Sequence, residues 1–138
     1  MKIRRAAVDT GALLALASTR DQYHQRAKDI ALRFQRAGGR LVGHALVLGE
    51  LHGHLLRRID PMSARRVVAA LLHDRSYHWR DASVELIEGG FSRWIERYPD
   101  QRFSLTDAVS FELMREERLT HAFAFDRDFT TAGYALLE

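Results

Sequence analysis

The run Ala122-Phe123-Ala124-Phe125 is apolar at every position and ends abruptly at Asp126. A strand without polar alternation has to be covered on both faces, the situation of a strand inside a parallel sheet. Arg4 to Val8 ends in a shorter apolar run that leads straight into Asp9-Thr10-Gly11, Leu41 to Gly43 and Tyr77 to Trp79 read as further short strands, and Tyr134 to Leu137 is a candidate edge strand. Helical periodicity fills the intervals. A short helix is expected over Ala12 to Ala17. After Asp21 the residues Tyr23, Ala27, Ile30, Ala31 and Phe34 share one face, and Gly38-Gly39 ends the pattern. Ala45 to Arg58 carries the stripe Leu48, Leu51 and Leu55. Asp60-Pro61 is a helix start, with a capping carboxylate followed by a proline whose missing N–H costs nothing there, and that helix is expected to bury Val67, Val68, Leu71 and Leu72 while Arg65 and Arg66 stay wet. Val84, Ile87, Phe91, Trp94, Ile95 and Tyr98 give the next helix a broad apolar stripe, and a further helix spans about Thr106 to Arg118.

Strands alternating with helices imply right-handed crossovers and a parallel sheet with helices on both sides. The expected fold class is therefore α/β, a three-layer sandwich around four to five parallel strands. With 138 residues and no repeat, linker or low-complexity tract, residues 1–138 read as one domain.

In an open parallel sheet, ligands gather outside the carboxyl ends of the strands, so acids that directly follow strands are the first candidates for a site. Asp9 and Asp126 hold that position. Each either caps the turn that follows or faces a cation, because an acid at the edge of an apolar core is costly without a compensating partner. Glu50 lies in the otherwise uncharged stretch Leu46-Val47-Leu48-Gly49-Glu50-Leu51, where Gly49 and Gly53 would let a ligand or another backbone approach the helix. Asp107 shares a face with Phe111 and Met114 rather than with Glu112 and Glu116, although Ser104-Leu105-Thr106-Asp107 also has the form of a capping box. Four acids at one edge of a sheet repel one another. They stay ionised together only around a hard divalent cation, and oxygen-only ligation suits Mg²⁺ or Mn²⁺. Such a centre does phosphoryl chemistry with water as the nucleophile.

Several other chemistries are excluded or weakened. There is no cysteine, which removes disulfides, thiolate metal sites and a cysteine nucleophile and suits a reducing cytoplasm. His52 and His54 lack the His-Glu-x-x-His zinc pattern, and only His54, four residues after Glu50, can reach the acids. His73-Asp74 suggests an all-helical phosphohydrolase, against which the strands argue. Asp9-Thr10-Gly11 lacks the second aspartate of a dehalogenase-type phosphatase, and neither lysine, Lys2 or Lys28, follows a glycine as a Walker loop requires. The opening residues contain too short an apolar run for a signal peptide and no later segment approaches a membrane span, so a cytoplasmic protein is expected. The net charge of +3, almost all of its cations arginine, invites nucleic acid without deciding for it, and Arg57, Arg58, Arg65 and Arg66 form either a basic rim or a solvated helix face.

In Val8-Asp9-Thr10-Gly11-Ala12-Leu13-Leu14, Leu48-Gly49-Glu50-Leu51, Leu105-Thr106-Asp107-Ala108 and Phe125-Asp126-Arg127-Asp128-Phe129, in that order across nearly the whole chain, the sequence resembles the PIN-domain ribonucleases, and especially the short toxins of the VapC type. The resemblance implies metal-dependent cleavage of RNA by an endonuclease, frequent homodimers, and inhibition by a cognate antitoxin protein. It places Asp9, Glu50 and Asp107 at the three core acids and Asp126 at the fourth, with Asp128 able to substitute. Many members carry Ser or Thr two residues before the fourth acid, where this chain has Ala124. A catalytically weak module of the same fold that binds RNA or a partner protein is the alternative.

Overall fold

The computed structural model describes residues 2–138 and contains five strands in one parallel sheet, ordered β3-β2-β1-β4-β5. These are β1 (Arg5–Val8), β2 (Arg40–His44), β3 (Tyr77–Arg80), β4 (His121–Phe123) and β5 (Ala135–Leu136). The helices are α1 (Thr10–Ala17), α2 (His24–Arg36), α3 (Ala45–Arg58), α4 (Pro61–His73), α5 (Val84–Gly90), α6 (Leu105–Glu117) and α7 (Arg127–Thr131), and α5 runs on into a π-helical turn, Phe91–Glu96. Among the described residues no helix is long and apolar enough to cross a membrane.

Alternate residues of the strands feed two apolar layers, as a period of two requires. Ala6 and Val8 pack with Leu13, Ile30, Leu51 and Leu55 beneath α1 to α4, whereas Ala7 and Val42 pack with Leu86, Val109, Phe111 and Phe129 beneath α5 to α7. This is the expected three-layer sandwich. The chain moves outward from β1 to β3 and then returns to the other side of β1 as β4, so its topological switch point lies between β1 and β4. Crevices at such points are where α/β sheets bind ligands.

Local signals account for most of the boundaries. Asp60 caps α4 by accepting from the Ser63 amide at 2.7 Å, with Pro61 at the first helical position. Ser104 Oγ accepts from the Asp107 amide at 3.1 Å to start α6, and Arg118 ends that helix in the left-handed conformation (φ 56°). Gly38, at φ 84°, turns the chain out of α2.

Four expectations are corrected. The first helix begins at Thr10, not Ala12, because the turn at Asp9-Thr10-Gly11 is already helical. β4 ends at Phe123, so Ala124 and Phe125 leave the ladder before Asp126; the Asp9 amide donates to the Phe123 carbonyl at 3.0 Å as the last link between these two chain segments. The broad stripe of α5 is only partly covered: Val84 is 70% exposed, and Phe91 and Tyr98 are also exposed, because the π-helical turn shifts the register of the face that meets α6. Leu72 is exposed as well, since α4 packs on α3 through Ala64 and Leu71.

The approach of α5 to α6 depends on Gly90, where a Cβ would lie 2.9 Å from the Ala108 carbonyl oxygen. Backbone cannot yield as a side-chain end can. Gly90→Ala is expected to cost about 1–3 kcal/mol, read as a thermal midpoint several degrees below wild type, whereas Gly49→Ala, which meets nothing within 4 Å, is expected to leave the midpoint unchanged or raised.

Candidate metal centre

At the carboxyl edge of β1 and β4 a cavity of about 520 Å³ is lined by Asp9, Glu50, Asp107 and Asp126, together with Thr10, Tyr23, His54, Arg58 and Phe125. All four acids read from the sequence as site candidates therefore face one space, although a strand end, the interior of a helix and two helix starts, all distant in the chain, supply them. Asp9 follows β1, Glu50 is half-buried on α3, Asp107 stands on the first turn of α6, and Asp126 precedes α7. The tightest group is Asp107, Asp126 and Asp128, whose carboxylate oxygens lie within 4.8 Å of one another. Asp128 thus stands beside both Asp107 and Asp126.

Asp9 is 5% exposed. It stands at the N-cap of α1 with no well-formed side-chain capping hydrogen bond, although the Thr10 and Gly11 amides at the helix start face its carboxylate. Gly11 is small where the carboxylate passes: a Cβ there would come within 3.3 Å of Asp9 Oδ2. Burial, then the charges of Asp107 and Asp126, push the Asp9 carboxyl up to about 8, against the pull of the Thr10 and Gly11 amides at the helix start. Asp107 is pushed up to about 6, first by burial and then by Asp126, Asp128 and Glu50, with Ser104 opposing. Asp128 is raised by burial and by Asp126. Asp107 and Asp126 each do two things. The amide of Asp107 is capped by Ser104, and Asp126 caps α7 by accepting from the Asp128 amide at 2.8 Å. Capping uses one oxygen or a backbone group and leaves carboxylate oxygens for a ligand.

A cluster of oxygens that hold protons well above their ordinary range is one that a divalent cation would stabilise, by displacing those protons. The donors present fit such an ion: the carboxylates are close-set, and Thr10, whose buried Oγ1 has no hydrogen-bond partner among the described residues, also lines the cavity.

His44, at the end of β2, sets the position of α6. It is buried, and its Nε2 lies 3.2 Å from the Thr106 carbonyl and 2.9 Å from Ser110 Oγ. A carbonyl only accepts, so the ring carries its proton on Nε2. Burial pulls its pKa down to about 4, and it is neutral at physiological pH. Sequence reasoning passed over this residue, as it did Tyr23 and Phe125 in the cavity wall, since none of them bears a carboxylate. His54 lines the cavity as its spacing from Glu50 allows, and of the four arginines considered as a rim only Arg58 does so. Gly49 and Gly53 do not admit another backbone: a Cβ at Gly49 meets nothing, and one at Gly53 meets Arg57 of the same helix. Glu112, expected on the wet side of α6, is 3% exposed; it is paired with Arg93 at 3.3 Å and Arg115 at 2.8 Å, which together neutralise it under α5.

Fold and site together define a doubly wound α/β domain with a carboxylate-rich cavity at its switch point. The PIN domain model matches residues 6–133, and the chain belongs to the PIN-domain family. It is 30% identical over 127 residues to the 23S rRNA-specific endonuclease VapC20 of Mycobacterium tuberculosis, covering 92% of this chain and 93% of the relative. The crystal structure of that protein, described as a Sarcin-Ricin loop cleaving toxin, matches with a TM-score of 0.83 at 29% identity, over 94% of this chain and 96% of the other. VapBC2 of Rickettsia felis, crystallised with a DNA fragment from its promoter, shares the fold alone, with a TM-score of 0.66 at 12% identity over 96% of each chain.

The raised acids determine a pH dependence. Asp9 and Asp107 have folded values of about 8 and about 6, both above the ordinary 3.8, so the metal-free folded chain holds protons that the unfolded chain sheds. Their contribution is complete below about 4 and is lost as pH rises toward 8. Glu117, lowered by Arg5, and Glu112, lowered by Arg115 and Arg93 against its own burial, run the other way below about 4.5, and the buried His44, lowered from 6.5 to about 4, opposes the acids between about pH 4 and 6.5. The thermal midpoint in a chelator is therefore expected to fall most clearly between about pH 6.5 and 8, where of these groups only Asp9 still titrates, Asp9→Asn is expected to raise it at pH 7.5 by on the order of 5 °C, and Mg²⁺ is expected to flatten the wild-type profile over that range. Scanning calorimetry with and without Mg²⁺ checks all three.

Proposed function

We propose that the chain is a Mg²⁺-dependent endoribonuclease and the toxin of a toxin–antitoxin pair. The observation that carries this reading is the gathering of Asp9, Glu50, Asp107 and Asp126 on one cavity at the β1–β4 switch point. Asp9, Asp107, Asp126 and Asp128 are the residues that would hold the cation, with Glu50 on the facing wall. Bound there, a divalent ion lowers the pKa of water and neutralises charge on the phosphate. Asp9 and Asp107, freed of their protons when the cation is present, present fixed oxygens that orient a water for in-line attack. Glu50 takes the proton that the water gives up. No side chain serves as nucleophile, in keeping with a cavity that has carboxylates but no cysteine. With Ala124 in place of the Ser or Thr common two residues before the fourth acid, Thr10 or Thr106 would have to supply a hydroxyl, and the Thr10 hydroxyl is buried without a hydrogen-bond partner among the described residues.

The likeness to VapC20 over nearly the full length of both chains supports ribosomal RNA, and within it a structured loop, as the substrate. The same reading includes a cognate antitoxin protein as partner, a homodimer and a cytoplasmic site of action. Leu56, Ile59, Met62 and Leu72, exposed on α3, α4 and their junction, are apolar surface for such partners to cover. Mg²⁺ is the natural ion for an all-oxygen site that also receives a phosphate, and Mn²⁺ has the same preferences.

Pure protein freed of antitoxin, incubated with 23S rRNA and Mg²⁺ or Mn²⁺, is expected to give discrete fragments, and none in a chelator. Asp9→Asn and Asp107→Asn are each expected to lower the rate at least a hundredfold, in line with the loss of a metal ligand. Equal cleavage by wild type and Asp9→Asn would reject the assignment. Binding of RNA without cleavage by wild type would favour a domain that binds RNA through a weakened site.

A further inference from the structure

Two walls of the carboxylate cavity are aromatic and take no part in holding a cation. Tyr23, just ahead of α2, lies flat on Phe125, the ring centroids 4.6 Å apart and the planes 7° from parallel. Phe125 is braced from the other side by an edge contact with Phe123, at 6.2 Å and 69°, and Phe123 is fully buried. Tyr23 is fixed through its backbone: its amide donates to Asp21 Oδ1 at 2.8 Å, and its carbonyl accepts from the Ala27 amide at 2.8 Å. Yet the residue is 39% exposed. A ring needed only to cover the core would be buried, and one needed only to start a helix would not have to stack. A rigid ring with an open surface beside a phosphate-processing centre is instead a platform for another flat group.

The opposite wall belongs to α3. Glu50, His54 and Arg58 recur every four residues, form one stripe along that helix, and all line the cavity. The stripe runs from an acid at the metal end to a guanidinium at the other. Among the described residues Arg58 forms no ion pair. It also borders a second cavity, of about 580 Å³, which shares Leu14, Asp21 and Arg58 with the first and so prolongs it.

We propose that the Tyr23–Phe125 stack and Arg58 form a nucleotide subsite beside the carboxylates, with one base lying on Tyr23 and a flanking phosphate held by Arg58. This deepens the RNA-cleaving reading and rests on it. Every base has a π-face, so the platform accepts purines most strongly without reading a sequence, while the arginine fork fits a phosphate. A base paired in a helix has no free face to offer. The subsite therefore admits only a nucleotide that is single-stranded or turned out of its stack, and it restricts cutting to loops through geometry.

The test is equilibrium binding of a labelled octaadenylate, followed by anisotropy in Ca²⁺, to the whole chain and to Tyr23→Ala, Tyr23→Leu, Tyr23→Phe and Arg58→Ala, with an octamer of the same backbone lacking bases as the second probe. Tyr23→Ala and Tyr23→Leu are expected to weaken octaadenylate binding about tenfold or more and to leave binding of the abasic octamer unchanged, while Tyr23→Phe stays near wild type. Arg58→Ala is expected to weaken both probes alike and to reduce the slope of log K against log salt by about one. Undetectable wild-type binding, Tyr23→Leu within twofold of wild type, or equal losses for the two probes on removing Tyr23 would overturn the subsite. Binding that depends on Tyr23 in a chain that cleaves no RNA would leave the subsite standing and remove the nuclease reading alone.

Discussion

Repulsion among carboxylates is the constraint around which this structure is organised. Asp9, Asp107, Asp126 and Asp128 are brought to one edge of the sheet, and burial adds to what each charge does to the next. Desolvated like charges raise the free energy of the folded chain unless protons or a cation relieve them. At neutral pH without metal, protons on Asp9 supply part of that relief. A divalent ion supplies it without neutralising the oxygens, and this links the stability of the site to its chemistry.

The apolar layers tolerate that cost because they do not depend on it. Val8, Leu13, Leu51 and Leu55 on one side of the sheet, and Val109, Phe111, Met114 and Phe129 on the other, bring each acid to the cavity from a segment that is itself well packed. Asp9 stands one residue past Val8, and Asp107 one residue before Ala108, where α6 enters the core. The neutral His44 holds Thr106 and Ser110 and joins the end of β2 to the start of α6, so that Asp107 is placed by the same edge that places Asp9. Rigid elements at a switch point thus hold the acids close enough to be costly to one another.

Much of this was legible in the chain itself, for stated reasons. The apolar run that stops at Asp9 marks the end of β1, and the one that stops at Asp126 marks the end of β4 to within two residues. The helical spacing of Asp107 with Phe111 and Met114 shows an acid turned inward, and the uncharged surroundings of Glu50 single it out. What was not legible depends on contacts between distant segments. Glu112 shares no apolar face with Asp107, yet Gly89 and Gly90 let α5 close over it while Arg93 and Arg115 balance its charge. The π-helical turn after α5 changes the period on which a stripe is read, so half of the apolar residues there proved exposed. Phe125 looked like the last residue of a strand, but the ladder ends at Phe123 and frees its ring to meet Tyr23. Asp128 was read as able to substitute for Asp126, and only the short α7 sets the two side by side near Asp107.

The account stands most directly on the protonation of Asp9. Carbon-detected NMR of the side-chain carboxyls, titrated from pH 4 to 9 in a chelator and again with Mg²⁺, reports it residue by residue. The account requires a midpoint near 8 for Asp9 in the metal-free chain, displaced below the range of the titration when Mg²⁺ is added, with Asp107 moving in the same direction. An Asp9 carboxyl that titrates near 4 and is indifferent to Mg²⁺ would contradict it.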